Sequence, residues 1–277
     1  MPVIGFIGGG NMAASLIGGL INAGYPAADI MVAEPDEARR QSLAERYAIS
    51  VTGSNNDLGA CDTIVLAVKP QIIKTVCESL NTDAAQDTLY ISIAAGILST
   101  DINRWLGGEA AGRARAIVRC MPNTPALLQC GASGLYANEQ VSAQQKQQAE
   151  DILRAVGIVI WVQTETQLNA VTAVSGSGPA YFFLLMEAMQ QAGEKLGLAA
   201  DTSRQLVIQT ALGAARMAAE GNIPPAMLRA QVTSKGGTTE AAIRRFQADG
   251  FEQMVEKALQ AASERSVELA EELGKAK

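Results

Sequence analysis

The segment that most constrains this chain lies within its first residues. Val3-Ile4-Gly5-Phe6-Ile7 is a short apolar run of strand character, and it leads straight into Gly8-Gly9-Gly10-Asn11-Met12-Ala13. A helical pattern over Met12–Ala23 comes next. Strand, glycine-rich turn and helix in that order fit G-x-G-x-x-G/A, with Gly8, Gly10 and Ala13 in the three special positions. Gly8 permits the tight turn, and Gly10 lets the backbone approach a pyrophosphate with no Cβ in the way. Ala13 is small enough for the helix to pack closely on the strand. The free N–H groups at the helix start, from Asn11 and Met12 onward, and the helix dipole favour phosphate there. A plain glycine-rich turn is the bland alternative. The strand before it and the helix after it favour a dinucleotide site.

Beyond this first unit the alternation continues. Strand candidates at Ile30–Ala33, Thr63–Ala67, Leu89–Ile93, Arg115–Arg119 and Ile158–Val162 alternate with helical stretches such as Asp36–Tyr47. This alternation predicts an α/β domain, a parallel sheet covered by helices, over residues 1–163. From about Thr164 the strand-like runs cease, and Ala, Leu, Met, Glu and Gln dominate. Helices are predicted near 165–174, 179–196, 201–220, 224–231, 238–248 and 251–273, making residues 164–277 an all-α domain. In 179–196, Glu187, Gln190, Gln191 and Glu194 form one narrow polar stripe, while Tyr181-Phe182-Phe183-Leu184-Leu185-Met186 leaves the remaining circumference apolar. The stripe Phe251, Met254, Val255, Leu259 and Ala262 is similar. A helical domain of this size has too little interior to cover both, so subunits are expected to pack here.

Composition removes several function classes. A net charge of −6 supplies no basic surface for nucleic acid or anionic lipid. The chain has no histidine, so a His general acid, a Ser-His triad and a His-bound metal are excluded. Cys61, Cys77, Cys120 and Cys130 are scattered without metal-ligand spacing, and no metal site is expected. They read as buried, reduced thiols. No signal peptide is visible, and the apolar run Ala180 to Met186 is far short of the ~20 residues of a membrane span. The reading is a cytoplasmic protein.

In an open α/β sheet, ligands bind outside the carboxyl ends of the strands. Lys69-Pro70, Ala95-Gly96 and Pro122-Asn123 each follow a strand and so converge on one crevice. Glu34 stands where a ribose-binding acid is expected, to hydrogen-bond the 2′-hydroxyl of NAD and repel the 2′-phosphate of NADP. Arg39 and Arg40 follow closely and supply charge that neutralises a phosphate. The other reading has Glu34 merely opening the Glu34-Pro35-Asp36 turn. NADH and NADPH therefore both stay open. Ser175-Gly176-Ser177-Gly178-Pro179 marks a helix start whose small residues admit either a nicotinamide and substrate or a neighbouring helix. Gly236-Gly237-Thr238-Thr239 opens another, with first amides suited to a carboxylate; Glu240 is placed to fold back on it as a capping acid.

Six motifs run in order along the chain. The first four are FIGGGNMA at Phe6–Ala13, LAVKPQ at Leu66–Gln71, SIAAG at Ser92–Gly96 and RCMPNTPA at Arg119–Ala126. SGSGPAY at Ser175–Tyr181 and VTSKGGTTEAA at Val232–Ala242 complete them. In this series, over essentially its whole length, the chain resembles the pyrroline-5-carboxylate reductases. The resemblance implies a Rossmann domain followed by a helical dimerisation domain, and reduction of a cyclic imino acid to proline by NADPH or NADH. It implies a homodimer, or a larger homo-oligomer built from dimers, in which each Thr239 faces the nicotinamide of the other subunit. By the same resemblance Ala67, Val68, Lys69 and Pro70 lie beside the cofactor and Asn55, or its neighbour Asn56, contacts its adenosine half. Ala94, Ala95 and Gly96 flank the nicotinamide, and Met121 to Pro125, with Pro122 and Asn123 among them, form a loop against ring and substrate. Ser234, Gly236, Gly237, Thr238 and Thr239 bind the imino acid, with Thr239 at the ring nitrogen.

Two rival readings remain. A β-hydroxyacid dehydrogenase shares the layout but wants a lysine about one helical turn past a glycine-rich helix start; after Gly178 none occurs until Lys195. A protein that binds NAD(P) without turnover is the non-enzymatic alternative.

Overall fold

The computed structural model describes residues 1–80, 87–108, 112, 114–221 and 223–275. Its strands are β1 (Ile4–Ile7), β2 (Ile30–Ala33), β3 (Ser50–Thr52), β4 (Thr63–Leu66), β5 (Leu89–Ser92), β6 (Ala116–Met121), β7 (Gly131–Ala137) and β8 (Gly157–Trp161). The helices interleaved with them are α1 (Asn11–Asn22), α2 (Glu37–Tyr47), α3 (Ile73–Ser79), α4 (Ser99–Trp105) and α5 (Ala143–Arg154). Then come α6 (Gln167–Val171), a π-helical turn at Thr172–Gly176, α7 (Gly178–Lys195), α8 (Ala200–Glu220), α9 (Pro225–Gln231), α10 (Thr238–Ala248) and α11 (Phe251–Lys275).

The strands form one sheet in the order β3-β2-β1-β4-β5-β6-β7-β8. All neighbours run parallel except β6 and β7, which are antiparallel. Strands β1, β4 and β5 are buried along their whole length, as continuous apolar runs in a sheet covered on both faces should be. Successive side chains split between two cores with the period of two that a strand imposes. Ile4, Phe6, Val65, Leu89 and Ile91 enter one core; Ile7, Ile64, Leu66 and Tyr90 enter the other. Helix α1 lays Ala13, Leu16, Ile17 and Leu20 on the first core, the i, i+3, i+4, i+7 face of an amphipathic helix.

The expected parallel α/β layout is therefore present, with β3 and β7 in addition to the anticipated strands. The chain divides into two compact units, Met1–Ser177 with Ala261–Lys277, and Gly178–Gln260. The boundary anticipated after residue 163 falls inside the first unit for a packing reason. Val171 lies directly over Gly134 of β7, where a Cβ would be 2.5 Å from its Cγ1, and Leu168 and Ala173 are buried. The closing residues of α11 also belong to this unit. Ser266 Oγ and Asn169 Oδ1 are 2.9 Å apart, and Leu273 packs against the second core.

In the second unit, α7 and α8 approach closely at Gly193, whose missing side chain makes room for the Ser203 hydroxyl. That hydroxyl donates to the Gln190 carbonyl at 2.9 Å. The expected polar stripe of α7 is tied by i,i+4 bonds, Gln190 to Glu194 and Gln191 to Glu187. Phe182, Phe183 and Leu184 on α7 are each about two-thirds exposed in the single chain, as are Leu206 and Leu212 of α8 to about half.

Candidate active site

The sheet order reverses between β1 and β4, which opens a crevice at their carboxyl ends. There the chain turns at Gly8 with φ +94°, a conformation that favours glycine. A Cβ on Gly8 would also lie 2.6 Å from the Ala67 carbonyl oxygen, because the end of β4 crosses close by: Ala67 N donates to Ile7 O at 2.9 Å. Gly10 is the N-cap of α1, and a Cβ there would meet nothing within 4 Å. Open space therefore lies over the helix start, no side chain caps it, and its first turn carries no acidic residue. Such a cradle of bare backbone fits the phosphates of a dinucleotide. Ala13 is buried against the sheet, whereas Asn11 is exposed and Met12 partly so.

Glu34 follows β2 and is buried. Its Oε2 accepts the Gly9 amide at 2.8 Å, and its Oε1 accepts the Asp36 amide at 3.1 Å. Glu34 thus opens the turn to Asp36 and at the same time secures the glycine-rich loop. Arg39 Nη1 stands 3.4 Å from Oε2 with its side chain half exposed, whereas Arg40 Nη1 donates inward to the Glu34 and Pro35 carbonyls. Asn55 begins a short 3-10 turn after β3, whose Thr52 carbonyl accepts the Glu34 amide. Ala67, Val68, Lys69 and Pro70 follow β4, with Val68 beside Gly8 and Lys69 exposed.

A cavity of about 200 Å³ lies at the same sheet end, lined by Met12, Ile93, Ala95, Met121, Pro122, Asn123, Thr124 and Gly176. It brings together six of the sequence-predicted residues, from α1, from the loop after β5, and from the end of β6 and the loop after it. Ile93 is a lining residue that the sequence did not mark as a ligand contact. Gly176 stood out within SGSGPAY for its small size. It lines the cavity, and a Cβ there would collide with the Met121 methyl. It also ends a π-helical turn, a rare form often found at functional sites.

Asn123 is nearly buried, and both ends of its side-chain amide are engaged. Nδ2 donates to the Ser175 carbonyl at 3.0 Å, and Oδ1 accepts the Ala132 amide at 2.9 Å. Of the nicotinamide-flanking candidates, Ala94 and Gly96 are buried and Ala95 reaches the cavity. Gly96, at φ +72°, is backed by Leu269 and Ala270 of α11, 3.4 and 3.5 Å from where its Cβ would be.

A partly buried ion pair unforeseen in the sequence sits behind these loops. Arg119 Nη1 donates to Glu165 Oε1 at 3.0 Å, and Glu165 also accepts the Ser99 amide at 2.6 Å and the Ser99 hydroxyl at 3.1 Å. Burial pushes the Arg119 guanidinium below its usual range, against the opposing pull of Glu165 and the more distant Asp101.

The motif expected to take the imino acid lies in the second unit. Ser234 to Gly237 form a turn in which the Gly237 amide donates to the Ser234 carbonyl at 3.0 Å, with Gly236 at φ +75°. Thr238 and Thr239 are the first two residues of α10, and Thr239 is half-buried. Glu240 does fold back: its Oε2 accepts the Gly236 amide at 2.6 Å, and Arg244 pairs with its Oε1 at 2.9 Å. That amide bond, then Arg244, holds the Glu240 carboxyl below its ordinary range. Among the described residues no three His, Cys, Asp or Glu side chains gather into a metal-holding group.

The chain is 58% identical over 274 residues to a pyrroline-5-carboxylate reductase of Pseudomonas aeruginosa, covering 99% of this chain and 98% of the relative. It belongs to the pyrroline-5-carboxylate reductase family. Residues 165–269 match the family described as pyrroline-5-carboxylate reductase dimerisation, and residues 3–96 match NADP oxidoreductase, coenzyme F420-dependent. A solved pyrroline-5-carboxylate reductase of Coxiella burnetii superposes with a TM-score of 0.92 at 45% identity, over 97% of this chain and 98% of that one. A Plasmodium falciparum pyrroline carboxylate reductase solved with NADP bound gives 0.81 at 30% identity, over 97% and 98%. The Rossmann unit and the helical unit are thus those of this family.

Proposed function

We propose that this protein reduces 1-pyrroline-5-carboxylate to L-proline, with NADPH or NADH as the hydride donor. The observation that carries the reading is the cavity where Met12, from the helix of the nucleotide turn, meets Ala95 and the Met121–Asn123 loop. The backbone from Gly8 to Ala13 holds the pyrophosphate, Glu34 and Asn55 serve the adenosine half, and Ala67 to Pro70 line its course. Ala94, Ala95 and Gly96 flank the nicotinamide. When bound, the dinucleotide supplies the hydride. The apolar side chains of Met12, Ile93, Met121 and Pro122 exclude water and hold the two reacting rings in contact, the main requirement for attack on an iminium carbon that is already electrophilic.

The motif Ser234, Gly236, Gly237, Thr238 and Thr239 receives the imino acid. The amides opening α10 take its carboxylate, and the Thr239 hydroxyl meets the ring nitrogen, so the proton is held without a histidine. Two chains form a homodimer through the region matching the dimerisation family, and Thr239 of one serves the nicotinamide of the other. This crossed arrangement rests on the family resemblance. The apolar residues left open on α7 and α8 support the dimer itself. No helix among the described residues is long and apolar enough to cross a membrane, and all four cysteines are free thiols, which suits the cytoplasm.

Purified protein should oxidise NADPH or NADH, followed at the nicotinamide absorbance, when pyrroline-5-carboxylate is added without metal and with a chelator present. Faster turnover of 3-hydroxyisobutyrate would sink the assignment, and cofactor binding without turnover would favour a sensor.

A further inference from the structure

Two walls of the cavity come from chain segments that have no direct covalent relation. Ile93 and Ala95 follow β5, while Met121 to Thr124 follow β6. Each segment is anchored a few residues away to the same carboxylate. On the first side, Ser99 opens α4 and gives Glu165 both its amide and its hydroxyl. On the second, Arg119 lies two residues before Met121 in β6 and gives Glu165 a charged hydrogen bond. The third wall, Gly176, lies on the segment that Glu165 itself begins, through α6 and the π-helical turn.

Arg119 is nearly buried, so its charge has to be met by a fixed partner rather than by water. Arg119 also stands in register with Ser92 of β5, whose hydroxyl accepts the Ala94 amide, so the same ladder rung leads to both loops. We propose that Glu165 is a positioning residue for hydride transfer, a single carboxylate that fixes the Ile93–Gly96 wall and the Met121–Thr124 wall at one spacing. It touches neither ring and acts through Ser99 and Arg119. The proposal rests on the reductase reading for its kinetic consequence, while its structural half stands without it.

The test compares wild type with Glu165→Gln, which keeps the shape but removes the charge and turns one acceptor into a donor. Hydrogen exchange on the protein without cofactor reads the walls directly. Losing a charged anchor should speed exchange over 93–99 and 121–124 by about tenfold or more. With cofactor and substrate, kcat should fall by up to about 100-fold, the scale of a roughly 1 Å misplacement of reacting groups. The deuterium isotope effect from a dinucleotide dideuterated at C4 should rise, because hydride transfer becomes slower than product release. NADP⁺ affinity by calorimetry should change less than about threefold, since the Gly8–Ala13 cradle carries most phosphate contacts.

Ile152→Val, a packing change in the first core, serves as the stability control. It should lower the melting temperature without altering exchange in those segments, kcat or the isotope effect. Ser99→Ala, which removes only the hydroxyl bond, should shift exchange in the same direction by less and covers the case in which Glu165→Gln fails to fold. Wild-type exchange in both segments would overturn the proposal even if the substrate assignment were wrong. So would a kcat loss no larger than that of Ile152→Val at matched melting temperature. A wild type that does not reduce pyrroline-5-carboxylate would refute the reductase reading alone.

Discussion

Replacing Asn123 tests how far the cavity wall depends on one side-chain amide. The residue joins the loop after β6 to the π-helical turn through Ser175 and to β7 through Ala132. Asn123→Ala removes both bonds and leaves one carbonyl and one amide to find other partners in a site that is only 9% exposed. An unmet buried polar group costs about 1–3 kcal/mol, so with partial repair by water the variant should lose roughly 2–4 kcal/mol. Asn123→Asp separates the two bonds. One carboxylate oxygen still accepts the Ala132 amide, but the other replaces a donor and faces the Ser175 carbonyl, so this near-isosteric change should be no milder than alanine. Urea denaturation at fixed protein concentration measures both losses, with the midpoint shift converted through an unchanged slope. Activity should fall as well, because Gly176 at the end of the π-helical turn loses its tie to the opposite wall. A loss below about 0.5 kcal/mol for alanine, the scale of an ordinary surface change, would refute the account of Asn123 as a tie between walls.

Burial pushes the thiols of Cys61, Cys77 and Cys120 up to about 11, about 12 and about 12, so they stay protonated at pH 8. Iodoacetamide should therefore modify Cys130, the exposed one, in the folded protein and all four cysteines after denaturation; mass spectrometry showing a second modified cysteine in the native state would contradict this. The crossed dimer is tested by mixing two inactive variants, Gly10→Glu, which fills the open cradle, and Thr239→Val, which removes the hydroxyl at similar size. Co-refolded heterodimers should each regain one intact site and about half the wild-type activity of a dimer, whereas no recovery from two folded variants would place both halves of a site in one chain.

Much of the fold was legible because its central strands are buried on both faces and so appear as unbroken apolar runs. Strand β7 was hidden for the opposite reason. Its sequence, Gly131-Ala132-Ser133-Gly134-Leu135-Tyr136-Ala137, has little strand character, and crowding explains why. A side chain on Gly131 would lie 2.8 Å from the Val156 carbonyl, and one on Gly134 would meet Val171. Strand β3, with three residues, is too short to show a period. In the site, Glu240 was readable because its partner Gly236 is four residues away, within the reach of a helix turn. Glu165 was not, since Ser99 and Arg119 lie 66 and 46 residues from it and nothing local marks the pairing. The π-helical turn, closed by the Ser177 amide on the Thr172 carbonyl, likewise leaves no pattern distinct from an ordinary helix.

The last stretch of α11, from Ala261, packs with the first unit and supports Gly96 through Leu269 and Ala270. The loop after β5, proposed to flank the nicotinamide, is therefore backed by residues made after the whole helical unit. While a chain is being made, its first 177 residues can assemble the sheet and the glycine-rich turn, but that backing waits until the whole intervening helical unit has been synthesised. A product cut short near residue 260 would keep the glycine-rich turn and lack the backing of the loop proposed to flank the nicotinamide.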